Sequence, residues 1–311
     1  MIKCAHLAVA ALALTALAAT VSADDIVVKA PAGGETVTLT EGEETSVTNA
    51  ELKELLKGAL ENAGTCNILV GAKGEVSVDV GSGEPMPLNA SAIVSMDKNE
   101  GAVYANLYHS VNIFGEENEG TQGAYMWKDG DTWFTAMESE DGWAVTSSKE
   151  YADPVEELAK GIDSLDEETL SVLTPADHLY EANGKTYYVF TAEKDALLGT
   201  ASNIEAAAGY TEMADSVIGD NPLQVVLAVD SETGFPYFFS IDASGAAGVL
   251  PGEILGSETD LSFTADNLYV SAFFSEDAAL VDIPEDVLKA EVSDIGIQLN
   301  DALASLLGGV S

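Results

Sequence analysis

The chain has 311 residues, 53 acidic against 12 basic side chains, a formal net charge of −41 and only two cysteines. Every basic residue is lysine. This balance repels phosphate everywhere, which excludes nucleic-acid binding and charge-driven docking on anionic lipid, and the lack of arginine disfavours bidentate capture of a phosphate or carboxylate.

Residues 1–23 read as a secretory signal: Lys3 gives a positive start, an apolar run extends from Ala5 to Ala19, and small residues precede a cleavage site after Ala23. Cys4 lies before the apolar run rather than at its end, so the expected product is exported to the secreted or cell-envelope space and not lipidated. The remaining cysteine, Cys66, has no intramolecular partner and reads as a small buried apolar residue. Residues 24–49 are expected as an N-terminal extension with a short alternating strand at 36–40. Thr48 and Glu51 have capping-box spacing, and Leu52, Leu55, Leu56, Ala59 and Leu60 then mark one face of a helix ending near Gly64. Such a helix does not stand alone; its leucine stripe must pack on a sheet.

A strand series follows. Strands are expected at 68–80, broken near Gly71 and Gly74, and at 90–96, 102–111 and 143–146, joined as an antiparallel meander. Between the last two lies an aromatic hairpin at 124–135. An Asp129–Gly130 loop there pairs Trp127 with Thr132, Met126 with Trp133, and Tyr125 with Phe134. Alternation puts Tyr125, Trp127 and Phe134 on one face and Met126 and Trp133 on the other. Both faces are apolar, so each requires a cover.

Asp153 and Pro154 predict a helix to about Lys160, and a second capping box at Ser164 and Glu167 predicts one through Leu173. Strands return at 185–191 after the Asn183–Gly184 turn. An alanine-rich helix is expected at 195–218, a hairpin across 223–241, a long strand at 261–274, and a short helical turn from Pro284. The tail, 291–311, has the spacing of an amphipathic helix. The pattern as a whole reads as α+β with a large, strongly curved antiparallel sheet.

The order of the leucine helix at 50–63, the hairpin at 125–134, the segment 183–190, the segment 229–236 and the close at 281–287 resembles the LolA/LppX-like superfamily of envelope proteins over residues 50–290. The resemblance implies an unclosed antiparallel barrel wrapped over helices. It further implies a concave apolar cavity for a lipid or an acyl chain, with no catalytic residues. Many relatives are lipoproteins and their carriers place arginine near the cavity, whereas this chain has neither feature, so lipoprotein transfer is not carried over.

No nucleophile elbow or His-Glu-x-x-His motif is present, and no cofactor or metal site is expected. Asp97 to Gly101 has the flavour of a Ca²⁺ loop but is too short and lacks the distal glutamate. The acids read by default as a solvated surface, with which a cationic or envelope partner or a saline habitat is compatible. His109 shares a strand face with Val103, Leu107 and Val111, as a cavity-edge residue rather than a catalytic one, and His178 is placed at a helix start. The expected cavity residues are Tyr125, Trp127, Phe134, Met126, Trp133, Leu107 and His109. The leading reading is an exported, non-catalytic protein holding an apolar small molecule or lipid; a structural or adhesive surface module with a packed interior is its rival.

Overall fold

A computed structural model describes residues 25–31, 35–62, 65–79, 85–99, 101–113, 115–139, 142–148, 155, 160, 162, 170–192, 223–250 and 261–292. In chain order the elements are β1 (Ile26–Lys29), β2 (Thr36–Glu44), α1 (Asn49–Asn62), β3 (Cys66–Asp79), β4 (Met86–Asn99), β5 (Ala102–Ile113), β6 (Glu116–Asp129), β7 (Thr132–Ser139) and β8 (Gly142–Ser148). Then come β9 (Leu173–Ala182), β10 (Lys185–Ala192), β11 (Gln224–Asp230), β12 (Pro236–Asp242), β13 (Ala247–Leu250), β14 (Leu261–Ser275) and α2 (Glu285–Lys289). The signal at 1–23, the helix at 195–218, the tail beyond 292 and most of the two helices at 153–173 lie outside the described residues.

The strands form one 14-stranded antiparallel sheet in the order β1-β2-β9-β10-β11-β12-β14-β3-β4-β5-β6-β7-β8, with β13 paired to β14. This corrects the α+β expectation: among the described residues the molecule is nearly all antiparallel sheet, open at β1 and β8, rather than a half-barrel wrapped over helices. Two misreadings account for the difference. Residues 24–49, set apart as an extension, supply β1 and β2, and β2 pairs with β9. Residues 173–182, read as the end of one helix and the start of another, form β9, so His178 stands on a strand opposite Glu44. Strand β9 carries Pro175 and the acids Asp177 and Glu181, and β2 ends in Glu41, Glu43 and Glu44, so neither shows the apolar alternation that betrays a strand paired on both sides.

Strand β14 joins the two halves, pairing with β12 on one side and β3 on the other. One face of the sheet carries α1. Both arms of the Thr48 capping box form: the Thr48 N–H donates to Glu51 Oε2 at 2.8 Å, and the Glu51 N–H donates to Thr48 Oγ1 at 3.2 Å. Leu52, Leu56 and Leu60 then bury against Phe190, Val225, Leu227, Phe239, Ile68 and Ala272, with Cys66 also buried there. This is the helix face. The opposite, hairpin face is covered differently. Strands β1 and β2 fold over it, packing Ile26, Val28 and Leu39 on Tyr180, Tyr187, Val189, Val226 and Phe238. Strand β11 is therefore buried on both sides, which is why it lacks a polar alternation.

The β11–β12 turn locks onto this core. Asp230 Oδ1 accepts the N–H groups of Glu232 and Thr233, each at 3.0 Å, and Oδ2 accepts Lys185 Nζ at 3.0 Å. Burial pushes the Asp230 carboxyl up, but the Thr233 N–H, the Lys185 ammonium and the Glu232 N–H outweigh it and hold the carboxyl below its ordinary value. A carboxylate depressed in the folded state stabilises it above the unfolded pKa, and that gain is lost as pH falls through the folded value. Asp230→Asn keeps an oxygen for the two backbone N–H groups but removes the charge that strengthens them, and is expected to cost about 1–2 kcal/mol at neutral pH, little of it from Lys185, which is largely exposed. Urea titrations should show the gap between the two proteins narrowing at acid pH.

Candidate functional site

The β6–β7 hairpin turns one residue later than expected. Asp129 pairs with Thr132, Lys128 with Trp133, and Trp127 with Phe134, leaving Gly130 and Asp131 as the loop. Gly130 has φ 59°, and among the described residues Asn183 is the one non-glycine with positive φ. A single left-handed residue at the first central position is the requirement of a type II′ turn, which glycine meets without strain. Moving the loop by one residue shifts each partner by two, so the faces keep the composition expected for them.

On the hairpin face, Tyr125, Trp127 and Phe134 form an aromatic row with Tyr104 and Trp143. Ring centroids lie 4.8 Å apart for Tyr104–Tyr125, 5.4 Å for Tyr125–Trp143 and 5.3 Å for the stacked Trp127–Phe134. The row is covered by the chain itself: Ile283, Val287 and Ala290 pack on it together with Ala136 and Val145. Three hydrogen bonds hold this cover. The Ala279 N–H donates to Asp97 Oδ1 at 3.0 Å, the Val281 N–H to Asn99 Oδ1 at 2.5 Å, and Trp143 Nε1 to Asp286 Oδ2 at 3.2 Å. The Asp97–Gly101 turn thus binds backbone, a role its acidic composition did not announce.

On the helix face lie the other four expected residues. Met126 and Trp133 are buried with Val103 and touch Met96, which also packs against the α1 core. Leu107 pairs with Val94 and Gln122, and His109 with Ala92 and Gly120, in rows beside them. The His109 ring lies against Gly120, where an added Cβ would come within 2.7 Å of it, and its buried Nδ1 has no hydrogen-bond partner among the described residues. The seven residues therefore do not line one cavity: the sheet separates Tyr125, Trp127 and Phe134 from Met126, Trp133, Leu107 and His109.

Two lysines belong to this face and were missed. Lys98 pairs with Val103 in the row that contains Met126, and is buried. Lys128 is opposite Trp133, its Nζ 5.8 Å from the ring centroid. The signal for Lys128 was available, since it sits on the hairpin at the parity of Met126; Lys98 lay in the segment 97–101 beyond the strand expected at 90–96, and only the strand's continuation to Asn99 places it. Elsewhere, His178 accepts or donates through Nδ1 to Asp177 at 2.9 Å, with Glu41 3.6 Å from Nε2. The Asp177 hydrogen bond, then the nearby Glu41 and Glu44, raise its pKa. Among the described residues, no group of three or more His, Cys, Asp or Glu is placed to hold a metal ion, and no helix is long and apolar enough to cross a membrane.

No family model matches the chain, and no curated protein matches it. Among solved structures it aligns with the crystal structure of an N-terminal dehydratase from the difficidin assembly line. That alignment has 10% identity over 82% of this chain and 90% of that chain, with a TM-score of 0.12, a likeness that carries no argument about fold or chemistry.

Proposed function

We propose that the protein is an exported, non-catalytic binder of an apolar ligand, a lipid or acyl chain, held against the helix face of β4–β7. The observation that carries this reading is the run of Met96, Val103, Leu107, Met126 and Trp133 on one face, continuous with the α1 core through Met96. Met and Trp supply adaptable contact area without covalent chemistry. Lys128 on the same face would suit an anionic head group in a chain that is otherwise strongly acidic. The amino-terminal pattern at 1–23 supports export, and the net charge argues against nucleic acid as a partner.

Native mass spectrometry of the purified protein is expected to show a retained lipid, and a fluorescent fatty acid should bind and be displaced. Trp133→Ala is expected to weaken that binding roughly tenfold, about 1.4 kcal/mol, while Tyr125→Phe on the opposite face leaves it unchanged. A protein that carries no lipid and takes up no probe would refute the reading. The rival, a structural or adhesive surface module, is favoured by one observation: the hairpin face of the same strands is already closed by residues 279–290. Tight envelope association without bound lipid in cell fractionation would favour it.

A further inference from the structure

Strand β1 brings Lys29 across the hairpin face to β12 and β14. Lys29 Nζ donates to Ser244 Oγ at 2.5 Å and to Asn267 Oδ1 at 3.0 Å, and lies 3.3 Å from Asp242 Oδ2. It also stands 5.1 Å above the centroid of the Tyr269 ring, a buried side chain that shields the group from below. On the far side of the same amide, Asn267 Nδ2 donates to Glu75 Oε2, while Glu75 Oε1 is 2.7 Å from Lys73 Nζ. Register places these groups together just past an irregularity between Ala265 and Asn267: Asn267 pairs with Glu75, and Tyr269 pairs with both Lys73 and Asp242.

An ordinary ion pair would need only Lys29 and Asp242. Here an amine faces the carbonyl of a carboxamide, a carboxylate faces that amine, and a second carboxylate holds the nitrogen that would leave. We propose that Lys29 and Asn267 are joined by an intramolecular isopeptide bond that the folded protein forms by itself. Lys29 gives one ammonium proton to Asp242, and the freed lone pair adds to Cγ of Asn267. The remaining surplus proton on Nζ passes through Glu75 to Nδ2, the Cγ–Nδ2 bond breaks, and ammonia leaves. Asp242 returns its proton to the ammonia, which departs as ammonium. One C–N bond forms as another breaks; no oxidation state changes and no co-reactant is consumed.

The Lys73 ammonium and then the Asn267 amide hold the Glu75 carboxyl below its ordinary value against the opposing effect of burial, so Glu75 enters as the base the transfer requires. Holding amine and amide in contact makes the step intramolecular, which is what an otherwise slow transamidation needs. The bond would fasten the first strand of the sheet to the last, residues 238 apart in sequence, in a chain with no disulfide available after Cys4. It stands apart from ligand binding and tests independently of it.

The experiment is intact-mass spectrometry of the denatured full-length protein, followed by peptide mapping. A mass short by one ammonia is expected, with a branched peptide joining Lys29 to Asn267. The deficit should vanish in Lys29→Met, Asn267→Ala and Glu75→Gln, the last with its fold confirmed by circular dichroism. A wild-type mass equal to that of the sequence would overturn the proposal. So would an ammonia loss with Lys29 and Asn267 in separate peptides, the mark of a cyclised asparagine. A link that forms unchanged in Glu75→Gln would overturn the role given to Glu75.

Discussion

Phe238→Ala is expected to lower stability by about 3–5 kcal/mol, the range for emptying a fully buried aromatic site. The ring is inaccessible to solvent and sits among Tyr187, Val189, Val226 and Ala228, with Ile26, Val28 and Leu39 of the covering strands in the same cluster. Its centroid lies 4.9 Å from that of Phe273, tilted at 52°. The site is walled by strands whose own ladders keep them in place, so collapse into the vacated space is limited and the cavity remains. Urea unfolding with an unchanged slope would report the loss directly. Trp127→Ala, on a half-buried row packed against Ile283, Val287 and Ala290, is expected to cost less. Equal costs would show that the hairpin-face core is not where the packing places it.

Gly71→Ala should act at the same cover from the other side. A Cβ at Gly71 would fall 1.9 Å from the Pro31 carbonyl oxygen, 2.5 Å from its carbon and 2.6 Å from Pro31 Cα. All three are backbone atoms, so no rotamer change relieves the overlap. Gly71 pairs with Ser271, which pairs with Ser240, and this row of small residues forms the trough that admits the turn after β1. The two serines are buried. Overpacking of this kind costs about 1–3 kcal/mol and more when nothing can give. At about 3 kcal/mol the melting temperature should fall by roughly 6–12 °C for a protein of this size. Hydrogen exchange should localise the damage, with amides of β1 and β2 losing protection while β4–β7 keep theirs. Gly58→Ala is the matched control: it lies inside α1 with nothing within 4 Å of the added methyl, and is expected to be neutral or stabilising. An unaltered melt for Gly71→Ala would mean that Pro31 does not rest there.

What could be read locally was read well where the cause is local. The Thr48–Glu51 box forms both its bonds. Asn183 and Gly184 adopt φ 52° and 77° between paired Ala182 and Lys185, the two left-handed residues of a type I′ turn. The face sets of the aromatic hairpin survive even though its loop moves by one residue, because side-chain alternation depends on parity and not on the exact partner. The break expected in β3 at Gly71 and Gly74 does not occur; the strand runs unbroken from Cys66 to Asp79, and Gly71 serves a close approach from distant backbone. The two faces of the hairpin were legible from alternation; that Leu107 and His109 of β5 share the face of Met126 and Trp133, and that residues 279–290 cover the other face, follows only from the pairing of distant segments.

The amino-acid sequence by itself determined the charge that excludes nucleic acid, the period-two strands, the turns between neighbours and the capped helix with its leucine stripe. Each follows from residues within a few positions of one another, where propensity, capping and alternation act. The tertiary structure alone decided that β2 lies beside β9 and that β14 stands between β12 and β3. It also decided that β1–β2 and residues 279–290 close the hairpin face, and that Lys29 meets Asn267. These contacts bring together strands far apart in the chain. Their register is set by which apolar face must be buried against which, a condition that no single segment of the chain contains.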